Sequence, residues 1–147
     1  ERGKELVAAL KGTAVVIPKG AKTLYHAAAC VASNYLVALI DVSLKLWDRA
    51  GVPDPEGLKM LLPLIRGTVE NVERAGVSSA LTGPIERGEV QVLRKQVTSI
   101  RDRAPDLLEI FAALADYTLE VAKRKPGLPQ EKAQKLRELL REIRRPT

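Results

Sequence analysis

One cysteine and one histidine are the whole stock of thiol and imidazole in these 147 residues. Cys30 cannot close an intramolecular disulfide, and with His26 alone it cannot complete a zinc site, so no metal centre is expected. Aromatic residues are scarce too: one Trp, one Phe and three Tyr. That scarcity, beside abundant Ala, Leu, Val and Arg, argues against a β-sandwich, which needs β-branched and aromatic alternation. The ten glycines form neither G-x-G-x-x-G nor G-x-x-x-x-G-K-[ST], so there is no recognisable phosphate-cradling loop. A hydrolase triad would need His26, and no G-x-S-x-G elbow accompanies it. No run reaches the roughly 20 apolar residues of a membrane span, and no signal segment opens the chain, so a soluble, cytoplasmic setting is expected. The first residue is Glu rather than Met, which reads as processing or trimming. As a free-standing enzyme the chain is poorly equipped.

What is present is enough apolar residue, 46%, to build the core of about one domain. The net charge is +6 and its placement is uneven. Between Lys123 and Arg145 stand nine Lys/Arg against three Glu, while the remainder balances at fifteen of each sign, so the tail carries the whole excess. No aromatic residue interleaves those cations for base stacking, so a solvated helix face is expected rather than a nucleic-acid contact.

Periodicity gives the organisation. Residues 4–11 read as a short helix stopped by Gly12, and "TAVVI", 13–17, as a strand closed by Pro18. A lone strand cannot pair its own backbone, so 1–20 is expected to be a remnant of, or linker from, a preceding α/β domain, or to pair in an oligomer. From Ala21 to Ala50 nothing breaks a helix, about 45 Å at the usual rise per residue. It is apolar or small nearly all round, so it should be buried on most sides, as the central helix of a bundle or of a dimer. Ala27, Ala28, Ala29, Ala32 and Ser33 would let another backbone approach closely.

Asp54-Pro55 predicts an N-cap and first turn for a helix to about Ala75, kinked at Pro63. "VSSAL" reads as a short turn. Helices follow over 88–101, 105–123 and from Pro129 onward. In the last of these Ala133, Leu136, Leu139, Leu140 and Ile143 form one apolar stripe with which it should dock. The expected fold is therefore all-α: a helical bundle around one long central helix (about 21–50), with a helical domain over 21–125 and a basic amphipathic helix over 126–147.

Two places could carry chemistry. His26, Cys30 and Asn34 recur every four residues, drifting by about 80° over some 12 Å, and so line one edge of the long helix. A polar edge on an apolar helix is either paired inside or faces a cleft. The second place is "ALTGPIERGEV", 80–90, where two glycines and a proline break the helical pattern amid Thr82, Glu86, Arg87 and Glu89. A plain turn needs one Gly or Pro; Gly83, Pro84, Arg87 and Gly88 together fix the backbone and bring it close to something.

"LYHAAACVASNYLVAL" and "ALTGPIERGE", with "LLPLIRGTVENV" between them, resemble the C-terminal helical domain of Rossmann-like oxidoreductases, a domain of unknown function. That domain is similar to the C-terminal domains of 6-phosphogluconate dehydrogenase and ketopantoate reductase. The likeness spans roughly residues 13–122, and the tail from 126 adds nothing to it. It implies a two-domain enzyme whose NAD or NADP sits on a nucleotide-binding domain preceding this chain, and whose small carbonyl or imine substrate lies where the long helix faces it. In ketopantoate reductase the corresponding edge carries Lys, Asn and Asn; here His26, Cys30 and Asn34 stand at those places. The resemblance thus implies His26 and Asn34 as catalytic residues, proton donor and orienter, with Cys30, Thr82 and Arg87 binding substrate. Cys in place of the first Asn argues for a different substrate. Arg87 would hold an anionic group with its fork.

A homodimer across the long helices is the expected assembly, and the isolated chain should be inactive. The competing expectation is a helical, dimeric interaction module whose basic tail grips an acidic partner.

Overall fold

Asp54 does not cap a helix. In the computed structural model, which describes residues 2–143, Pro53 is the N-cap and makes no side-chain capping bond, while Asp54 is the first helical residue. Its carboxylate there still meets the positive end of the helix dipole. The chain runs α1 (Arg2–Ala9), α2 (Lys22–Arg49), α3 (Asp54–Ala75), α4 (Val77–Ala80), α5 (Val90–Arg103), a 3-10 turn (Pro105–Leu107), α6 (Leu108–Ala122) and α7 (Gln130–Ile143). "VSSA" is thus a single helical turn rather than a loop. Pro63 lies inside α3, and the helix continues across it.

The described residues are all-α, and none of them forms a strand. Residues 13–17 have no regular structure, with Val15 and Val16 78% and 73% exposed. The expected strand is absent because a strand exists only as part of a ladder, and this chain supplies no second rung.

The chain divides within α2 into two compact units, 1–41 and 42–147. The first holds α1, the 10–21 connection and most of α2. α2 has the expected length, but not one of its 28 residues is buried. The expected burial is therefore not provided by this chain's own residues. The helix ends where Gly51 turns to φ 90°, with Val52 N–H bonded to Trp47 O and Gly51 N–H to Asp48 O. This is a Schellman-type stop, which only a residue free of Cβ adopts without strain.

In the second unit Gly57 is buried, and a Cβ there would stand 3.1 Å from Leu44 and 3.3 Å from Trp47. The bare backbone lets α3 lie close against the end of α2. The core is assembled further along. α5 contributes Leu93, Val97 and Ile100, α6 contributes Ala112, Ala115, Leu119 and Ala122, and α7 contributes Leu136, Leu139 and Leu140. Each set repeats at three or four residues, so each helix turns one stripe inward. The alanines of α6 allow its neighbours to approach. Ala133 and Ile143 pack partly buried against the same cluster, so the last helix docks by the stripe its sequence predicts. A smaller cluster joins Ile100, Ala104 and Leu107 to Leu46, Leu108 and Phe111.

Leu136 is fully buried. Leu136→Ala is expected to lower unfolding free energy by about 2–5 kcal/mol, from lost transfer energy and the cavity left behind. Urea denaturation followed by circular dichroism measures it, and a loss below ~1 kcal/mol would show that α7 is not part of the cooperative core.

Candidate functional site

On α2, the helical repeat places His26 and Cys30 one turn apart with Nδ1 and Sγ separated by 3.7 Å. His26 and Asn34 are exposed and Cys30 is half-buried. The polar edge is thus not a set of core groups satisfied inside the chain. The contact engages Nδ1 of His26 and leaves Nε2 as the ring nitrogen directed elsewhere. Among the described residues no group of three or more His, Cys, Asp or Glu could hold a metal ion. α2 is also, over its best window, long and apolar enough to cross a membrane, with a mean hydropathy of 1.7. This corrects the expectation that no segment qualifies. Ser33 and Asn34 interrupt any continuous apolar run, yet the mean stays high.

Residues 81–89 form the second group, in the other unit. The loop is one tight coil. Arg87 N–H donates to Gly83 O, Gly88 N–H to Ile85 O, and Glu89 N–H to Pro84 O at 2.7 Å. Gly83 and Gly88 adopt φ 109° and 67°, values that disfavour any side chain. Gly88 also sits against the start of α7: a Cβ there would lie 2.6 and 2.9 Å from Lys132 and 3.0 Å from Leu128. Between these glycines Ile85 turns into the main core cluster.

The polar residues of the loop pair chiefly within the fold. Arg87 donates from Nε and Nη2 to the two carboxylate oxygens of Glu89, at 2.8 and 3.1 Å. This bidentate bond holds the Glu89 carboxyl below its ordinary range and raises the Arg87 guanidinium. The fork expected to grip a substrate anion is therefore closed on Glu89 in this conformation. Thr82 is exposed. Glu86 pairs with Lys125 at 2.8 Å, and Lys125 also donates to Leu81 O at 3.0 Å. From sequence, Glu86 and Glu89 are named in this break but given no role, and Lys125 is not singled out. The Glu-Arg-x-Glu spacing signals the first two as partners for a cation, but nothing local signals a lysine thirty-nine residues on from Glu86. A groove of about 630 Å³ opens beside the loop between α5 and α7, with Gly88, Glu89, Arg94, Lys132, Glu138 and Glu142 in its walls.

His26, Cys30 and Asn34 thus lie together in the unit of residues 1–41, and Thr82 and Arg87 in that of 42–147. What the structure defines is an all-helical domain with an exposed apolar helix and a glycine-framed loop. The chain belongs to the family described as a domain of unknown function, DUF2520, which it matches over residues 1–118. No curated protein and no solved structure matches it. The matched stretch contains both residue groups and stops before α7.

Two outcomes are expected. Gly88→Ala combines a positive φ with a collision against Lys132 and Leu128, so it should cost about 1–3 kcal/mol in a denaturant titration; an unchanged midpoint would mean that α7 shifts freely. The second concerns acid. Glu120 is held below its ordinary 4.5, first by its bond to Lys123 and then by Arg137 of α7, and Glu131 likewise by Lys135. A lowered carboxyl contributes stability in full above the unfolded value and loses it as pH falls through the folded one. The melting temperature should therefore decline below pH 4.5, and Glu120→Gln should flatten that decline. An equally steep decline in the variant would assign the effect to other carboxylates.

Proposed function

We propose that this chain is the dimerisation and substrate-cleft domain of an NAD(P)-dependent oxidoreductase acting on a small carbonyl or imine, its nucleotide-binding domain lying outside the chain. The observation that carries the reading is α2: 28 residues, apolar or small over most of its surface, with no residue buried in this chain. Leu24, Val31, Tyr35 and Val37 are each more than half exposed. Apolar surface on that scale is stable only when something covers it. A second copy of the helix suits it better than lipid. His26 and Asn34 along its length would each be costly in hydrocarbon, whereas a protein surface offers them hydrogen-bonding groups. Ala29, Ser33, Leu36 and Ile40 follow the three-four spacing of a helix-packing seam, with small residues at one end.

In this reading the cofactor supplies the hydride and the chain supplies the proton. His26, with Nδ1 against Cys30, would present protonated Nε2 to the substrate's carbonyl oxygen or imine nitrogen and give up its proton as the substrate is reduced. Asn34, two turns along, would hold the substrate's orientation by hydrogen bonds. Arg87, in the other unit, would take an anionic group only by exchanging Glu89 for it. The interaction-module reading draws less support: Lys123, Lys125, Lys135 and Arg137 of the basic tail already face Glu120, Glu86, Glu131 and Glu120 within the chain.

Sedimentation across a concentration series should show a dimer that Val37→Glu weakens at least tenfold. A well-folded monomer at every concentration would remove the main support for this reading. In the protein joined to its nucleotide-binding domain, His26→Ala should lower kcat for reduction of small carbonyl compounds by about 100-fold or more, and an unchanged kcat would dismiss His26 as the acid.

A further inference from the structure

We propose that Lys125 is a latch on the limb of the loop that carries Thr82. The ion pair of Lys125 with Glu86 is sheltered, its two side chains 25% and 23% exposed. The same ammonium reaches across to Leu81 O at 3.0 Å. One cation thus binds the loop at two points five residues apart, on either side of the Thr82-Gly83-Pro84 limb. Leu81 itself packs partly buried against the main core cluster, and the loop's remaining anchors lie farther along: Ile85 is buried in that core, and Gly88 is pressed against Lys132 and Leu128. Arg87 and Glu89 bond to each other, and Glu89 is also drawn electrostatically toward Lys132 of α7.

The limb is built to move once released. Gly83 has φ 109° and open space where a side chain would be, and so does Gly127, two residues after the latch, at φ 131°. Glycine at either place has the widest choice of backbone angles of any residue. Lys125 also lies beyond residue 118, where the family match ends. The segment leading into α7 therefore supplies a positioning residue to a loop that belongs to the family domain. The inference is independent of any oxidoreductase activity, because its readout is the loop and not turnover.

The backbone bonds of the loop give a site-resolved test by native-state amide exchange on the full chain. The amides of Arg87 and Glu89 donate into the limb, to Gly83 O and Pro84 O, whereas Gly88 donates to the anchored Ile85 O. In Lys125→Met the Arg87 and Glu89 amides should exchange roughly 10-fold faster, with Gly88, Leu93 and Leu119 unchanged, and Lys125→Arg should restore most of the protection. Unchanged exchange at Arg87 and Glu89 would overturn the proposal. Equal acceleration at Leu93 and Leu119 would also overturn it, because Lys125 would then serve general stability. If Lys125→Met does not fold, Glu86→Gln removes the ion pair and spares the Leu81 bond. It should give a smaller acceleration at the same two amides, and its absence would equally refute the latch.

Discussion

Burial of the leucine stripe of α7 is the constraint on which the second unit depends. Leu136, Leu139 and Leu140 are at most 3% exposed and meet Leu93 of α5, Leu119 of α6 and Ile85 of the loop in one cluster. Each fully buried leucine contributes about 1.5–3 kcal/mol, so the three together are comparable with the roughly 5–15 kcal/mol margin by which a domain is stable. The requirement that α7 lie this close fixes much else. It leaves no room for a side chain at residue 88, turns Ile85 inward, and brings Lys125 under the loop. The basic helix is thus structural first, and its cations are arranged around that packing.

α2 presents the opposite case. Its composition is that of a core helix, yet the chain gives it no core. Hydrophobic residues left in water forgo the stabilisation that burial gives them, so within this chain α2 draws little stability from its apolar composition. The polar edge shares that setting: His26 and Asn34 are exposed and Cys30 is half-buried.

How far the sequence predicted this differs by element. The long helix, the break at 80–90 and the inward stripe of α7 were all legible, because uninterrupted helix-formers, clustered Gly and Pro, and three-four periodicity are local signals. Asp54 as a cap was not. Asp-Pro suits both the cap and the first turn, and only the backbone angles decide. "TAVVI" misled because β-propensity describes fitness for a sheet and does not supply one. At the loop, the glycines were readable as marks of a close approach. Their neighbour, Lys132, was not, since contact between residues so far apart in sequence leaves no local trace. Arg87 was singled out as a free fork, whereas the structure closes it on Glu89.

The unpaired "TAVVI" segment bears on the colloidal behaviour of the molecule. Five consecutive residues of high β-propensity, unprotected by a ladder, are the kind of template that recruits identical segments from other molecules into stacked strands. The sequence brackets them with Lys11 on one side and Pro18-Lys19 on the other. Like charges then repel at each end of any in-register stack, and the proline cannot donate the bond that would extend it. Those three flanking residues therefore oppose strand-to-strand stacking of an exposed apolar segment.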